Sequence, residues 1–372
     1  MARPVSPTRC GTADVSDFFW LYRPTAPSVR AQSIQVINAA WATAARGHQV
    51  TVAVQAPKGL SVGPGEVLAF YGLETVSGLT LQVLPAGNTP ASIAFRASFA
   101  RWLIQSRGRG IAIARSKRYA REAIGWAGGQ FRLVLEAHEV DSAQLVENGE
   151  NGSEMRQLER LVLDASAAVI CNAPGTLEVL QETHVSLPPA IALHNGTLAS
   201  RARTPNGGGS GIGYVGSVRP GKDLECLAAA AEFLQRPVTI VGPDPVSGGW
   251  MRSEGALPHR EIPDRLAKFA VLVLPLRRGL FGERLTSPLK LWDYLASGVP
   301  IVAANTPAVR SAAGNAFEPY EPGDARGLAD AIRRVLDDRE LQGRLVASAP
   351  LRTWNDRAAE QDAFLADTIG LT

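Results

Sequence analysis

Short apolar runs alternate with amphipathic stretches along most of this chain. Residues 17–22 (DFFWLY) form an apolar run closed by Arg23-Pro24, the pattern of a buried strand. Over 33–46 apolar residues recur at helical spacing, opening on a serine and stopping at Gly47. Residues 49–54 (QVTVAV) again look like a strand. Strand, helix and strand within about forty residues make a βαβ unit, whose crossover implies a parallel sheet. Further strands are predicted at 79–84, 132–136, 167–171 and 190–193, the last followed by the loop His194-Asn195-Gly196.

The alternation breaks at 199–210 (ASRARTPNGGGS), where small polar residues and glycine without periodicity have a linker's composition. It then restarts, with strands at 212–215, 238–241, 271–275 and 301–303. Helices are expected at 224–234, 262–268, 289–297 and 324–336. The predicted fold is α/β: two doubly wound, Rossmann-like domains at 1–198 and 211–352, joined by the 199–210 linker. A last helix, 354–369, lies in a C-terminal segment (353–372) that could cross back to the first domain.

Composition narrows the classes. At 372 residues the chain is too long for one compact core, and 45% hydrophobic against 20% charged residues excludes a largely disordered polymer. No run of about eighteen uncharged apolar residues predicts a spanning helix. The start, MARPVSPTRCGTADV, has no apolar stretch behind its basic residues, so no signal peptide is expected, and the sequon Asn151-Gly-Ser153 has no secretory context. Cys10, Cys171 and Cys226 are odd in number and far apart, which suggests neither a disulfide framework nor a metal cluster but a reducing cytoplasm. A net charge of +3 is too small to argue for a nucleic-acid partner. Only five residues are lysine (58, 117, 222, 268 and 290), which makes each worth inspecting.

A formal GxGxxG stands at Gly211-Ile-Gly213-Tyr-Val-Gly216, but Gly213 falls inside a predicted strand. No acid follows about twenty residues on, where Arg236 stands, so a dinucleotide site is rejected. The segment Thr286-Ser287-Pro288-Leu289-Lys290 carries more chemistry. It is a turn running into a helix, whose free N–H groups and dipole make an anion site. Lys290 lies in the first turn, where a cation is unfavourable unless an anion is bound. Asp293, one turn on, can accept hydrogen bonds from a sugar hydroxyl.

The stretch TSPLKLWDYLASGVPIVA resembles the donor-binding segment of retaining glycosyltransferases of family four, which have the two-domain GT-B fold. Tyr214-Val-Gly216-Ser-Val-Arg219-Pro-Gly-Lys222 resembles the family's "YVGRL…K" strand and loop. Pro258-His-Arg-Glu-Ile-Pro-Asp-Arg-Leu266 and Pro322-Gly-Asp324 have counterparts there too. Upstream, Arg30-Ala-Gln-Ser-Ile-Gln35 resembles the first loop and helix, Leu135-Glu-Ala-His138 a strand end, and His194-Asn-Gly196 a loop.

The resemblance implies a nucleotide-sugar donor held by the C-terminal domain. Lys222 matches the family's phosphate-binding lysine, while Ser217 stands in place of its arginine and Arg219 lies two positions later. Thr286, Ser287 and Leu289 would offer backbone amides to the diphosphate, and Arg260 and Ile262 would meet the base. Asp293 matches the second glutamate of the family's paired motif and would bind the ribose. The first glutamate falls on Leu285, leaving Glu283 as the nearest acid and a candidate catalytic residue. His138 matches the histidine that reaches the transferred sugar, and Ser28, Arg30 and Ser33 fall on the acceptor side. No metal and no cofactor beyond the co-substrate are expected.

Residues 96–127 hold eight basic side chains against one acid, Glu122, interleaved with Phe99, Trp102, Leu103 and Ile104. This stretch is read either as a peripheral membrane contact for a lipid-linked acceptor, on the cytoplasmic side, or as a solvated arginine-rich face. The reading that gathers these features is transfer of a sugar from a nucleotide-sugar to a glycan, lipid-linked or small-molecule acceptor. An epimerase or hydrolase on the same fold, and a non-catalytic sugar-nucleotide-binding subunit, remain as alternatives.

Overall fold

The computed structural model describes residues 15–198, 209–219 and 221–371. The stretch 1–14, with Cys10, and 199–208 of the expected linker lie outside the described residues. The first domain's strands are β1 (Asp17–Trp20), β2 (Gln49–Gln55), β3 (Leu79–Leu84), β4 (Ile111–Ala114), β5 (Arg132–Ala137), β6 (Ser166–Cys171) and β7 (Ala190–Ala192). They form one parallel sheet in the order β3-β2-β1-β4-β5-β6-β7. The second domain has β8 (Ile212–Val215), β9 (Val238–Val241), β10 (Ser247–Gly248), β11 (Met251–Gly255), β12 (Val271–Leu274), β13 (Ile301–Ala304) and β14 (Glu318–Tyr320). Their order is β10-β11-β9-β8-β12-β13-β14, parallel except for the hairpin partner β10. The architecture is thus two Rossmann-like domains facing across a cleft, the GT-B arrangement.

The apolar pattern explains these sheets. β4 (IAIA) and β12 (VLVL) are buried on both faces, as strands covered by helices on each side must be. The central strands β1, β2, β5, β6, β8, β9, β12 and β13 were legible as such runs. β4 was not, because its four residues sit inside the basic stretch 96–127. That stretch is not one surface. It is the end of the helix Asn88–Ser106, then β4, then the helix Lys117–Ala127. Arg115 follows the end of β4 and turns into the cleft, and Lys117 is buried in ion pairs with Asp141 and Glu159.

Gly213, the middle glycine of the formal GxGxxG, serves packing. Gly213 lies in β8 against the ring of Phe269, where an added Cβ would collide with the aromatic carbons. No helix starts behind it.

The C-terminal helix Trp354–Ile369 starts on a capping box, with Thr353 Oγ1 accepting from the Asp356 N–H at 3.1 Å and Asp356 Oδ2 accepting from the Thr353 N–H at 2.8 Å. It packs on the first domain, where Trp354, Ala358 and Leu365 join the core built on β1 and β2. A polar seam follows: Arg46 and His48 meet Asp362, and Arg357 pairs with Glu136, both fully buried. Glu136 also accepts from Gln35 Nε2 at 2.8 Å. Arg357 holds this carboxyl well below the usual range, against the opposing effect of burial.

Breaking such a pair leaves an uncompensated buried charge, which costs about 3–5 kcal/mol. Arg357→Met is therefore expected to lower denaturant stability by that amount. The double variant Glu136→Gln/Arg357→Met should recover part of the loss, because no isolated charge remains. Equal losses in the single and double variants would show that the pair carries no such coupling.

Candidate functional site

The sheets present their carboxyl ends to a cleft of about 490 Å³ between the domains. In both sheets the strand order reverses next to the first strand, between β1 and β4 and between β8 and β12, where open α/β sheets bind ligands. The second domain supplies the wall built on β8 and the helix Leu289–Ala296. That helix has Pro288 at its N-cap and no side-chain cap, so its first turn presents N–H groups with no intrahelical partner. Thr286 and Ser287 are buried just before it and line the cleft with Leu289.

Two ammonium groups converge on this helix start. Lys222 reaches the cleft from the loop after β8, its Nζ 5.2 Å from the Phe281 ring centre. Lys290 points back from the first turn, its Nζ 3.9 Å from the Tyr214 ring centre. Lys290 Nζ is shut off from solvent and has no hydrogen-bond partner. Among the described residues neither lysine has a carboxylate partner. Desolvating an ammonium costs several kcal/mol, whereas a desolvated cation–π contact returns about 2. The deficit appears in their acidity. Burial pushes Lys222 down to about 8, and burial together with the Lys222 charge holds Lys290 well below its ordinary value. Ser217 lines the same wall, its carbonyl accepting from Tyr214 Oη at 2.8 Å, and Arg219 stands exposed at the rim.

Asp293 lines the cleft with both carboxylate oxygens engaged: Thr197 Oγ1 donates to Oδ1 at 2.6 Å, and His259 Nε2 is 3.3 Å from Oδ2. His259 in turn stands edge-on to Tyr71, whose hydroxyl donates to the Ser28 carbonyl at 3.1 Å. This chain of contacts ties the two domains together at the base of the cleft. Asn195 adds a second tie, its Nδ2 donating to the Ser287 carbonyl at 3.0 Å while its buried Oδ1 stays unpaired.

Across the cleft His138 follows the end of β5. Arg115 Nη1 lies 3.0 Å from both of its ring nitrogens and donates to Gln35 Oε1 at 2.8 Å. A guanidinium can only donate, so of the two ring nitrogens only the one without a proton can accept from it. Burial and then the Arg115 charge lower the imidazole to about 4, so it is neutral at pH 7. Ser28 and Arg30 line this side, Ser28 Oγ accepting from the Arg30 N–H at 3.2 Å.

Three expected residues stand outside the cleft lining. Ser33 is buried in the first helical turn, its hydroxyl spent on the Thr25 carbonyl at 2.9 Å. Arg260 is exposed and pairs with Glu261. Glu283 sits in the π-helical turn Phe281–Leu285, which is docked on the first domain. Leu285 is fully buried in that domain's core, its carbonyl accepting from Thr176 Oγ1 at 3.3 Å, and Arg284 pairs with Glu178 and Glu182. Gly282 lies so close to the Arg277 carbonyl that a Cβ has no room. Swinging Glu283 inward would undo these contacts, so position 285, where the paired motif has its first acid, is an apolar anchor.

Arg115, Gln35, Asn172 and Asn195 line the cleft without having been given a role there from the sequence, although Gln35 and Asn195 stand in segments noted above. Arg115 was hidden in the basic stretch. Which amides face the cleft is not marked in one dimension, since their places follow from strand ends meeting in space.

Comparisons with known proteins agree with this geometry. Residues 209–338 match the family model described as glycosyl transferases group 1. A glycogen synthase of Mycobacterium tuberculosis is 27% identical over 220 residues, 53% of this chain and 51% of the relative, so the chain spans about half the length of the curated relative it matches. Sucrose-phosphate synthase from Thermosynechococcus elongatus shares the fold at a TM-score of 0.71 and 16% identity, covering 96% of this chain and all of that one. Anabaena HepE, solved in complex with UDP and glucose, superposes at 0.67 with 14% identity over 94% of this chain and 99% of that one.

A bound anion favours protonated Lys222, whereas in the free protein this lysine deprotonates above pH about 8. Affinity for inorganic pyrophosphate is therefore expected to lose the Lys222 contribution as pH rises through that value. It should fall up to about tenfold per pH unit above it, for as long as the bound form keeps the proton. Calorimetric titrations from pH 7 to 10 check this. Lys222→Met should bind more weakly throughout and lose this part of the decline.

Proposed function

We propose that the protein is a retaining glycosyltransferase of family four, moving a sugar from a nucleoside-diphosphate sugar to an acceptor. The observation that carries the reading is the uncompensated positive charge around the start of the helix Leu289–Ala296, facing His138 and Arg115 across one cleft. A diphosphate fits the first feature in charge and size, and a transferred sugar bridges to the second. The group 1 match over 209–338 supports the donor side.

In this reading the leaving diphosphate is stabilised by Lys222, by the helix N-terminus through Thr286, Ser287 and Leu289, and by Arg219 from the rim. Asp293 takes a ribose hydroxyl, exchanging its contact with Thr197, and Ile262 packs against the base. Neutral His138, held by Arg115, meets the transferred sugar. The acceptor enters beside Ser28 and Arg30. No carboxylate in the cleft is assigned as a nucleophile, so catalysis rests on positioning and charge stabilisation.

The protein's own cations do the work a metal would otherwise do at the diphosphate. Turnover is accordingly expected to survive EDTA.

Donor consumption measured with UDP- and ADP-sugars, with and without candidate acceptors, tests the reading. Acceptor-dependent release of nucleoside diphosphate supports transfer. Release without acceptor would favour a hydrolase, and donor binding without turnover a binding subunit. His138→Ala is expected to lower kcat roughly ten- to a hundredfold while leaving nucleoside-diphosphate affinity unchanged, since the bare nucleotide lacks the sugar. A parallel loss of affinity would move His138 out of the sugar subsite.

The acceptor side also supports a peripheral membrane contact. Ile93, Ile104 and Trp126 are exposed on the helices that carry Arg96, Arg101, Arg118 and Arg121. Juxtamembrane charges contribute about 1 kcal/mol each near an anionic surface. Sedimentation with phosphatidylglycerol vesicles should be salt-sensitive and reduced by replacing Arg101, Arg118 and Arg121 together with alanine. No sedimentation at low salt would point to a soluble acceptor.

A further inference from the structure

We propose that Lys290 is the second cation of the diphosphate site, delivered by the helix itself to the place that Ser217 leaves uncharged. The assignment rests on the reading that the cleft binds a nucleoside diphosphate, and goes beyond it in naming how the charge is supplied. The loop after β8 carries Lys222 but has serine at 217, and Arg219 stands exposed at the rim. A phosphate pair in this corner would have one buried cation from that loop.

The structure builds a place for another. Tyr214 Oη donates to the Ser217 carbonyl, which fixes the ring beside the start of the loop, and Lys290 Nζ lies over that ring. The ammonium occupies the space where Gly216 would carry a side chain, so any residue but glycine there would collide with it. Gly216 also has φ +140°, a backbone conformation that glycine favours. Strand end, aromatic ring and helix start therefore converge to hold one ammonium, which has no hydrogen-bond partner of its own.

A packing role would satisfy this nitrogen within the protein, and it is not satisfied. The first turn of a helix repels a cation, and Lys222 adds a second like charge. Both penalties reverse when a diphosphate enters, because the anion pairs with the two lysines and with the helix dipole together.

Donor binding is thereby coupled to protonation. The titratable and charged groups facing this corner are Lys222 and Arg219 from the loop, Tyr214 from β8, Asp244 after β9, and Asp293 and Tyr294 from the helix. Asp244 Oδ2 is engaged by the Val218 N–H at 2.7 Å, and Asp293 by Thr197 and His259. Burial, and then the Lys222 charge, hold Lys290 below its ordinary value in the free cleft, and a bound anion opposes both effects.

Calorimetry with inorganic pyrophosphate, UDP and ADP, run between pH 7 and 9 in buffers of different ionisation enthalpy, reads affinity and proton uptake together. Lys290→Met is expected to weaken pyrophosphate and diphosphate binding about ten- to a hundredfold. It should leave uridine and adenosine unchanged, and take up as much as one proton fewer than wild type. Its melting temperature should be no lower, since a buried unpaired charge is removed. Lys290→Gln, which keeps a polar chain without the charge, should weaken pyrophosphate likewise, and decides the matter if the methionine variant does not fold. Unchanged pyrophosphate affinity in a folded Lys290→Met or Lys290→Gln overturns the assignment while leaving the glycosyltransferase reading intact. Failure of wild type to bind UDP, ADP or pyrophosphate overturns both.

Discussion

One carboxylate, Glu136, organises the wall of the cleft that carries His138. It is fully buried, and it holds Arg357 of the C-terminal helix while orienting the Gln35 amide. That amide receives Arg115, and Arg115 fixes the imidazole. The same interaction therefore seals the returning helix onto the first domain and sets the protonation of the residue facing the cleft. A buried acid surrounded by cations stays ionised, while burial, and then the Arg115 charge, keep the nearby histidine neutral.

The opposite wall obeys the reverse rule. Around the start of the helix Leu289–Ala296 two lysines stand without a carboxylate partner among the described residues, and burial makes both more acidic. The rings of Phe281 and Tyr214 shelter the ammoniums without neutralising them, which leaves the corner suited to an anion.

Between the walls, the domains are joined by contacts that also belong to the cleft. Asp293 holds Thr197, Asn195 holds the Ser287 carbonyl, and Leu285 is anchored in the first domain's core. The residues that line the cleft thus also hold the two domains against each other.

Much of this was written in one dimension. Apolar runs of four to six residues bounded by turns marked the central strands, because a parallel strand covered on both faces must be apolar throughout. The turn before Leu289, with its proline and the lysine in the wrong half of a helix, marked a candidate anion site from charge and capping alone. Tertiary structure decided what depends on distance between segments. Leu285 is buried in the first domain's core, and that docking holds Glu283 outside the cleft lining. Arg115 serves the site and not the surface because β4 interrupts the basic stretch and aims it inward. Lys290 and Ser217, seventy-three positions apart in sequence, meet only because strand end and helix start are packed against the same tyrosine. Local pattern records which face of an element is buried. It does not record what that face will meet, and the charge balance of a cleft is settled by that meeting.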